Sequence, residues 1–262
     1  MKTATALFFA LFVAIAIAPT AYATESFDAS LASPGVYWGT GNVNSGFTIL
    51  DTTNSNGSTL ELGLEALIRY QGPVTPTAND YIVPAGGSPD ALWDFAFSVN
   101  TGTDTLSDYT YSLSIENDTT SAVIAFSPTL LPDNAQVGTD ACASNSAGCA
   151  YNGANSGMQN AENLGFSFLS VPLAFNPSAA DTYTITLSAN PLSGTNTDPS
   201  VSINVTAETT ATPEPSSLIL LGTGLLGLAF VAFRKTGPTG AVQSLQFTLA
   251  RLPGAAIVVS GG

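Results

Sequence analysis

The sequence predicts an all-β protein, an antiparallel β-sandwich of jelly-roll-like kind, and three observations carry that expectation. Apolar and polar residues alternate with a period of two along many short stretches. Turns rich in Asn, Gly and Pro separate them, as at 54–58 and 84–89. Segments with the 3.6-residue period of an amphipathic helix are few. Clean alternation implies sheets with one face packed and the other in water, and a series of short strands of this kind suits a two-sheet sandwich.

The strands follow in order. Phe47–Leu50 is a short first candidate. Leu60, Leu62, Leu64, Ala66, Ile68 and Tyr70 then share one face of a longer strand, with Glu61, Glu65 and Arg69 on the opposite, wet face. A helix drawn through 60, 64, 67 and 68 fits less well, because Gly63 weakens it. Trp93, Phe95, Phe97 and Val99 repeat the alternation, with Asp94 and Ser98 opposite, and Tyr109, Tyr111, Leu113 and Ile115 repeat it again. Val123–Phe126 and Phe166–Leu169 are shorter candidates, followed by Tyr183, Ile185 and Leu187 and by Val201, Ile203 and Val205. The irregular region from Leu131 to Asn163 reads as a long loop or flap, with a short helix near Met158 to Asn163. Large aromatics in such strands are read as core, because they supply much of a small core's buried area.

Charge narrows the function classes. Only 9% of the 262 residues are charged, 19 acidic against 5 basic, with no histidine and a net charge of −14; an ordinary soluble domain carries roughly 25%. Lys2, Arg234, Lys235 and Arg251 lie toward the two ends, so the long middle holds a single cation, Arg69. Nucleic-acid binding needs lysine and arginine to displace counterions, and this surface repels phosphate backbones. It repels anionic lipid headgroups as well. Cations and neutral sugars remain as partners, and an acidic surface also simply keeps an exported protein soluble. Without histidine there is no Ser-His-Asp triad, no Cys-His pair and no His-ligated zinc. A carboxylate pair is the hydrolytic chemistry left.

The two ends read as addresses. Met1-Lys2 is followed by an apolar run from Ala4 to Ala18, a helix-breaking Pro19, and Ala21-Tyr22-Ala23. That is the charged, apolar, A-x-A pattern of a secretory signal, so residues 1–23 are expected to leave by cleavage after Ala23. The run is shorter than the ~20 residues a permanent span needs. Export implies an oxidising compartment, and Cys142 and Cys149, with six residues between them, are read as a disulfide. A metal is the alternative, but two cysteines without histidine fall short of the four ligands zinc takes.

Near the carboxyl end, 218–233 carries no charge and is expected to be a single transmembrane helix, with Arg234 and Lys235 as the cytoplasmic stop. Gly222, Gly224 and Gly227 form a literal G-x-G-x-x-G, but no second strand with an acid follows, as a dinucleotide site requires. Small residues in a membrane helix explain them better. Before this stretch stand Pro213, Glu214 and Pro215. Pro-Glu-Pro, then a Leu/Gly-rich span, then Arg/Lys closely resembles the PEP-CTERM sorting signal over 212–235. The resemblance implies export by the Sec system with signal peptidase, anchoring in the inner membrane through the C-terminal helix, and processing by exosortase near Pro-Glu-Pro. Surface or extracellular display follows, often alongside exopolysaccharide or biofilm. The family's chains usually end soon after the basic cluster, whereas residues 236–262 follow here with no Asp or Glu. This tail is expected to be disordered and reads as a displaced stop codon or frameshift. The stretches 60–70, 91–116 and 175–189 also resemble ectodomains of this sorting class, without implying an activity.

Residues 24–211 are therefore the expected sandwich ectodomain. Asp104, Asp108, Glu116 and Asp118 gather around one predicted hairpin and are weak calcium candidates, as is the segment from Asp133 to Asp140, but no EF-hand spacing is present. No other cofactor and no catalytic residue is expected. The leading expectation is a non-enzymatic surface or matrix protein. A carbohydrate- or calcium-binding sandwich module comes second, and a carboxylate-based glycosidase third.

Overall fold

Two β-sheets built from the alternating segments face each other across one apolar core. The structure, a computed structural model, describes residues 23–32, 34–39, 42–54, 56–142, 150–193, 198–209 and 215–235. The chain divides into two units, Met1–Thr210 and Ala211–Gly262. The first sheet contains β1 (Ala23–Ala29), β2 (Phe47–Thr53), β3 (Thr59–Ile68), β4 (Gly72–Pro73), β6 (Trp93–Asn100), β9 (Ala135–Val137) and β10 (Gly157–Glu162). Its order is β1-β2-β3-β6-β10-β9, with β4 paired to β3. The second contains β5 (Asp80–Pro84), β7 (Tyr109–Asn117), β8 (Ala122–Phe126), β11 (Thr182–Pro191) and β12 (Ser200–Glu208), ordered β5-β12-β11-β7-β8.

The facing sides are apolar because the period-two residues point there together. Leu62 opposes Val99 and Leu64 opposes Phe97 across β3 and β6, while Ile185 opposes both Ile203 and Ile115 in the second sheet. All of these are buried in one cluster, and the Trp93 and Tyr183 rings meet across it at 5.7 Å. Burying each such side chain stabilises by roughly 1.5–3 kcal/mol.

The two outer faces differ, and only one matches the alternation rule. On the second sheet the outer face is wet and lined by hydroxyls and amides. Thr186 and Ser202 bond across strands at 3.0 Å, and Asn204 Nδ2 donates to Asp80 Oδ1 at 2.8 Å. On the first sheet the outer face is covered, so Glu61 and Glu65, expected in water, are only 5% and 2% exposed. The cover is the strap between β1 and β2. Its Leu31 and Trp38 pack with Phe47, Ile49, Leu67 and Ala96 into a second apolar cluster. Hydrogen bonds hold it down: Ala32 N–H to Glu61 Oε2 (2.9 Å), Tyr37 N–H to Gln159 Oε1 (2.6 Å), and Gln159 Nε2 to Gly35 O (2.8 Å). Gly63 makes the close approach possible, since a Cβ there would lie 2.9 Å from Leu31 Cδ2.

Several expectations are corrected. The sandwich is not wholly antiparallel, because β5 runs parallel to β12. Seven- and five-stranded sheets also depart from the jelly-roll-like pattern. Met158 to Asn163 is not a helix: β10 takes in all of it but Asn163, because β10 adds to the edge of β6 and Met158 opposite Val99 enters the core. Among its described residues the flap from Leu131 to Asn163 thereby contains two strands. Phe166–Leu169 is not a strand, since Ser167–Ser170 forms one helical turn, α1, that buries Leu169. The strands β1 and β5 had no separate signal in the alternation.

Helix α2 (Pro215–Lys235) forms in the second unit, with proline at its first position, where a missing N–H costs nothing. Among the described residues no helix is long and apolar enough to cross a membrane. The expected transmembrane helix over 218–233 is thus not found as a span. The side chains described run from Leu220 to Arg234, about 22 Å at 1.5 Å per residue, against a ~30 Å hydrocarbon layer.

The buried carboxyls set a pH dependence. Burial pushes the Glu65 pKa up to about 9, and Glu162 up to about 8, with the charges of Asp133 and Asp94 adding to the latter. Between the ordinary value of 4.5 and these raised values the folded chain keeps protons that the unfolded chain releases. Stability therefore falls as pH rises through that window, by up to about 1.4 kcal/mol per pH unit for each group. The thermal midpoint should drop from pH 5 to pH 8, and Glu65→Gln should raise it at pH 8 and flatten the decline. Calorimetry across that range checks both.

Candidate functional site

The single cation of the long middle organises the most developed surface feature. β3 ends at Ile68, and the chain reverses through Arg69, Tyr70 and Gln71 into β4, with Gln71 N–H donating to Ile68 O at 2.9 Å. The turn requires positive φ at Gly72 (108°) and also places Tyr70 at φ 62°. A bulky residue in that region costs roughly 1–2 kcal/mol. The Tyr70 ring is 97% exposed, and the Arg69 guanidinium lies 5.5 Å from its centre. Arg69 Nη1 donates to Asp90 Oδ2 at 3.1 Å, and its Nε lies 3.7 Å from Asp94 Oδ2. Burial opposes the guanidinium charge, but these acids outweigh it and raise its pKa.

Arg69, Tyr70 and Gln71 form a wall shared by two hollows. The larger, about 630 Å³, continues over Trp38, Leu67, Asp94, Asp133, Asn160 and Phe166. The smaller, about 310 Å³, runs past Pro84, Ser88, Asp90 and Leu92. A third cavity beside Glu61 and Gln159, about 10 Å³, is no larger than a water.

Buried amides fix the acids of the larger groove. Asn163 is buried; its Nδ2 donates to Ala91 O, Trp93 O and Asp94 Oδ1, and its Oδ1 accepts from Ala91 and Gly165 N–H. Asn160 Nδ2 donates to Asp133 Oδ1 at 3.0 Å and also reaches Asn134 and Glu162. Burial raises the Asp94 pKa, against the lowering effect of Asn163 and Arg69. The indole N–H of Trp38 is buried, with no acceptor among the described residues. Such a trough offers an aromatic face, amides and carboxylates. It can hydrogen-bond hydroxyl groups, while its acids are already engaged by protein partners. Sequence reasoning missed it, because its walls come from five separate segments. The one available signal was Arg69, the lone cation.

The calcium candidates are not brought together. β6 and β7 lie in different sheets, so no hairpin joins them. Asp104 and Asp108 precede β7 and Asp118 follows it, and nine residues of strand separate the two groups by about 30 Å. Asp104 accepts from Asn54, Asn56 and Tyr109, and Asp108 accepts from the Thr105 N–H and hydroxyl. Asp118 accepts from Thr184, while Glu116 is exposed on β7. Asp133 faces the groove, whereas Asp140 accepts from Asn152. Among the described residues no group of three or more Cys, Asp or Glu could hold a metal ion.

The processing residues are only partly described. Ala21, Cys149, Pro213, Glu214 and the tail 236–262 lie outside the described residues. Ala23 opens β1 and Pro215 opens α2. Cys142 sits in a backbone bridge with Gln136, and no described cysteine is free. Arg234 lies at the end of α2, its guanidinium 5.3 Å from the Phe230 ring; nothing is described of the Lys235 side chain. A family model described as the PEP-CTERM protein-sorting motif matches residues 211–235. No curated protein and no solved structure matches the chain.

Asn163 supports the groove from beneath. Asn163→Ala strands several buried groups, each worth about 1–3 kcal/mol, and should lower stability in urea by about 2–4 kcal/mol. The outcome is read from the shift of the unfolding midpoint.

Proposed function

We propose that this chain, which carries a PEP-CTERM protein-sorting motif at residues 211–235, is exported, presented to an exosortase, and displayed as a non-enzymatic surface or extracellular-matrix protein associated with exopolysaccharide. The motif match is the observation that carries this reading, and it supports export and exosortase sorting directly.

The physical steps follow from the chain's own residues. A signal peptidase releases residues 1–23, leaving Thr24 within β1. In this reading the motif at residues 211–235 presents the chain to the sorting enzyme at the inner membrane before processing. Pro213 and Pro215 each lack a backbone N–H donor, and Pro215 opens α2, so the sorting enzyme would meet the chain where that helix begins. Outside the cell the chain meets oxidising conditions, under which Cys142 and Cys149 close a short loop. No cofactor enters this role. The wet Thr- and Ser-rich face of the second sheet suits a protein that works in a hydrated matrix.

Intact-mass spectrometry of the protein from cells with and without exosortase tests the reading. Loss of 218–233 is expected only where the enzyme is present. The same helix retained in both, or lost in both, contradicts it. In the same spectra the non-reduced chain should be lighter than the reduced one by two hydrogens, the signature of the Cys142–Cys149 bridge. Release of reducing ends from exopolysaccharide by the purified protein would contradict the non-enzymatic role.

A further inference from the structure

We infer that the groove walled by Arg69, Tyr70 and Gln71 binds the chain of a neutral polysaccharide. The inference deepens the surface-protein reading and rests on it only for where such a polymer is met.

Tyr70 is the first reason. A tyrosine ring that contributes to the core is buried, yet this one is 97% exposed and stands on a left-handed backbone. Arg69 backs it at 5.5 Å, so it is a propped platform rather than a loose tip. Sugar rings present C–H faces of slightly positive edge, which stack on the negative face of an aromatic ring. Phe166, 39% exposed, supplies a second aromatic wall in the larger hollow and stacks on Phe168 at 6.4 Å.

Trp38 lines the groove as a further aromatic wall. Polar groups supply the second reason. Gln71 and Asn160 bring amides, which donate and accept as sugar hydroxyls do.

Charge selects the class. The lone cation is spent on Asp90 and Asp94, and Asp133 adds a further carboxylate to the wall. No free positive charge is left among the described lining residues to pair a uronate, sulfate or phosphate, and the net charge of −14 repels such polymers. Shape selects a chain over a single sugar. The two hollows share Tyr70 as a wall, so a ligand stacked on that ring extends to both sides. The larger, at about 630 Å³, lies within the ~300–1,000 Å³ of small-ligand sites.

Affinity electrophoresis of the full chain in detergent micelles tests the inference, with laminarin or dextran cast in the gel and alginate as the anionic control. Retardation by at least one neutral glucan and none by alginate is expected. Tyr70→Ala should weaken binding about tenfold or more, and Tyr70→Phe should keep it. Because Tyr70 is almost wholly exposed, its truncation leaves the fold intact, which a thermal melt of the same samples checks. Absence of retardation by both neutral glucans, retardation by alginate alone, or parental binding by Tyr70→Ala would overturn it. The experiment uses purified protein, so its outcome is independent of whether exosortase cleaves the chain.

Discussion

The strap laid over the outer face of the first sheet is the contact on which the remaining features depend. Without it, β3 and β6 would have one wet face, as on the second sheet, and Glu61 and Glu65 would be ordinary surface acids. With it, Leu31 and Trp38 close a second small core against Phe47, Ile49 and Leu67. The cost is carboxyl burial. Glu61 recovers part of it by accepting from Ala32, whereas one oxygen of Glu65 has no partner among the described residues. A neutral carboxyl tolerates such a place and a carboxylate does not. The strap also borders the groove, because Trp38 belongs to both. Packing, protonation and the candidate binding surface are thus linked through one segment.

Much of the sandwich was legible because a sheet's inner face depends on a local, period-two rule. Leu60 to Ile68, Trp93 to Val99, Tyr183 to Leu187 and Val201 to Val205 are strands for that reason. The same rule misled for Glu61 and Glu65, since a strap without periodicity decides whether an outer face is wet. Met158 to Glu162 lacks β-branched residues and became a strand only because β6 offered an open edge. Asp104 and Asp118 looked adjacent in sequence around a hairpin, but the chain changes sheets just before β7, and strand length drives them apart. The groove was illegible for a related reason. Trp38, Tyr70, Asp94, Asp133 and Phe166 are far apart along the chain and meet only through sheet order. The C-terminal motif was the opposite case: its three parts are contiguous, and nothing tertiary is needed to recognise them.

Two kinds of information therefore coexist in this chain. The C-terminal segment carries a sorting motif, a linear pattern of proline, apolarity and charge. The sandwich carries a shape, in which one arginine is placed to support an exposed aromatic and two acids. The chain is acidic and contains no histidine, so a Ser-His-Asp triad cannot form within it.

Hydrogen–deuterium exchange in the strap tests the central claim most directly. The amides of Leu31, Ala32 and Tyr37 donate to Asn44 O, Glu61 Oε2 and Gln159 Oε1, so they should exchange orders of magnitude more slowly than in a free peptide. Exchange of all three at the free-peptide rate, while β3 stays protected, would contradict the account, since the strap would then not be seated on the sheet.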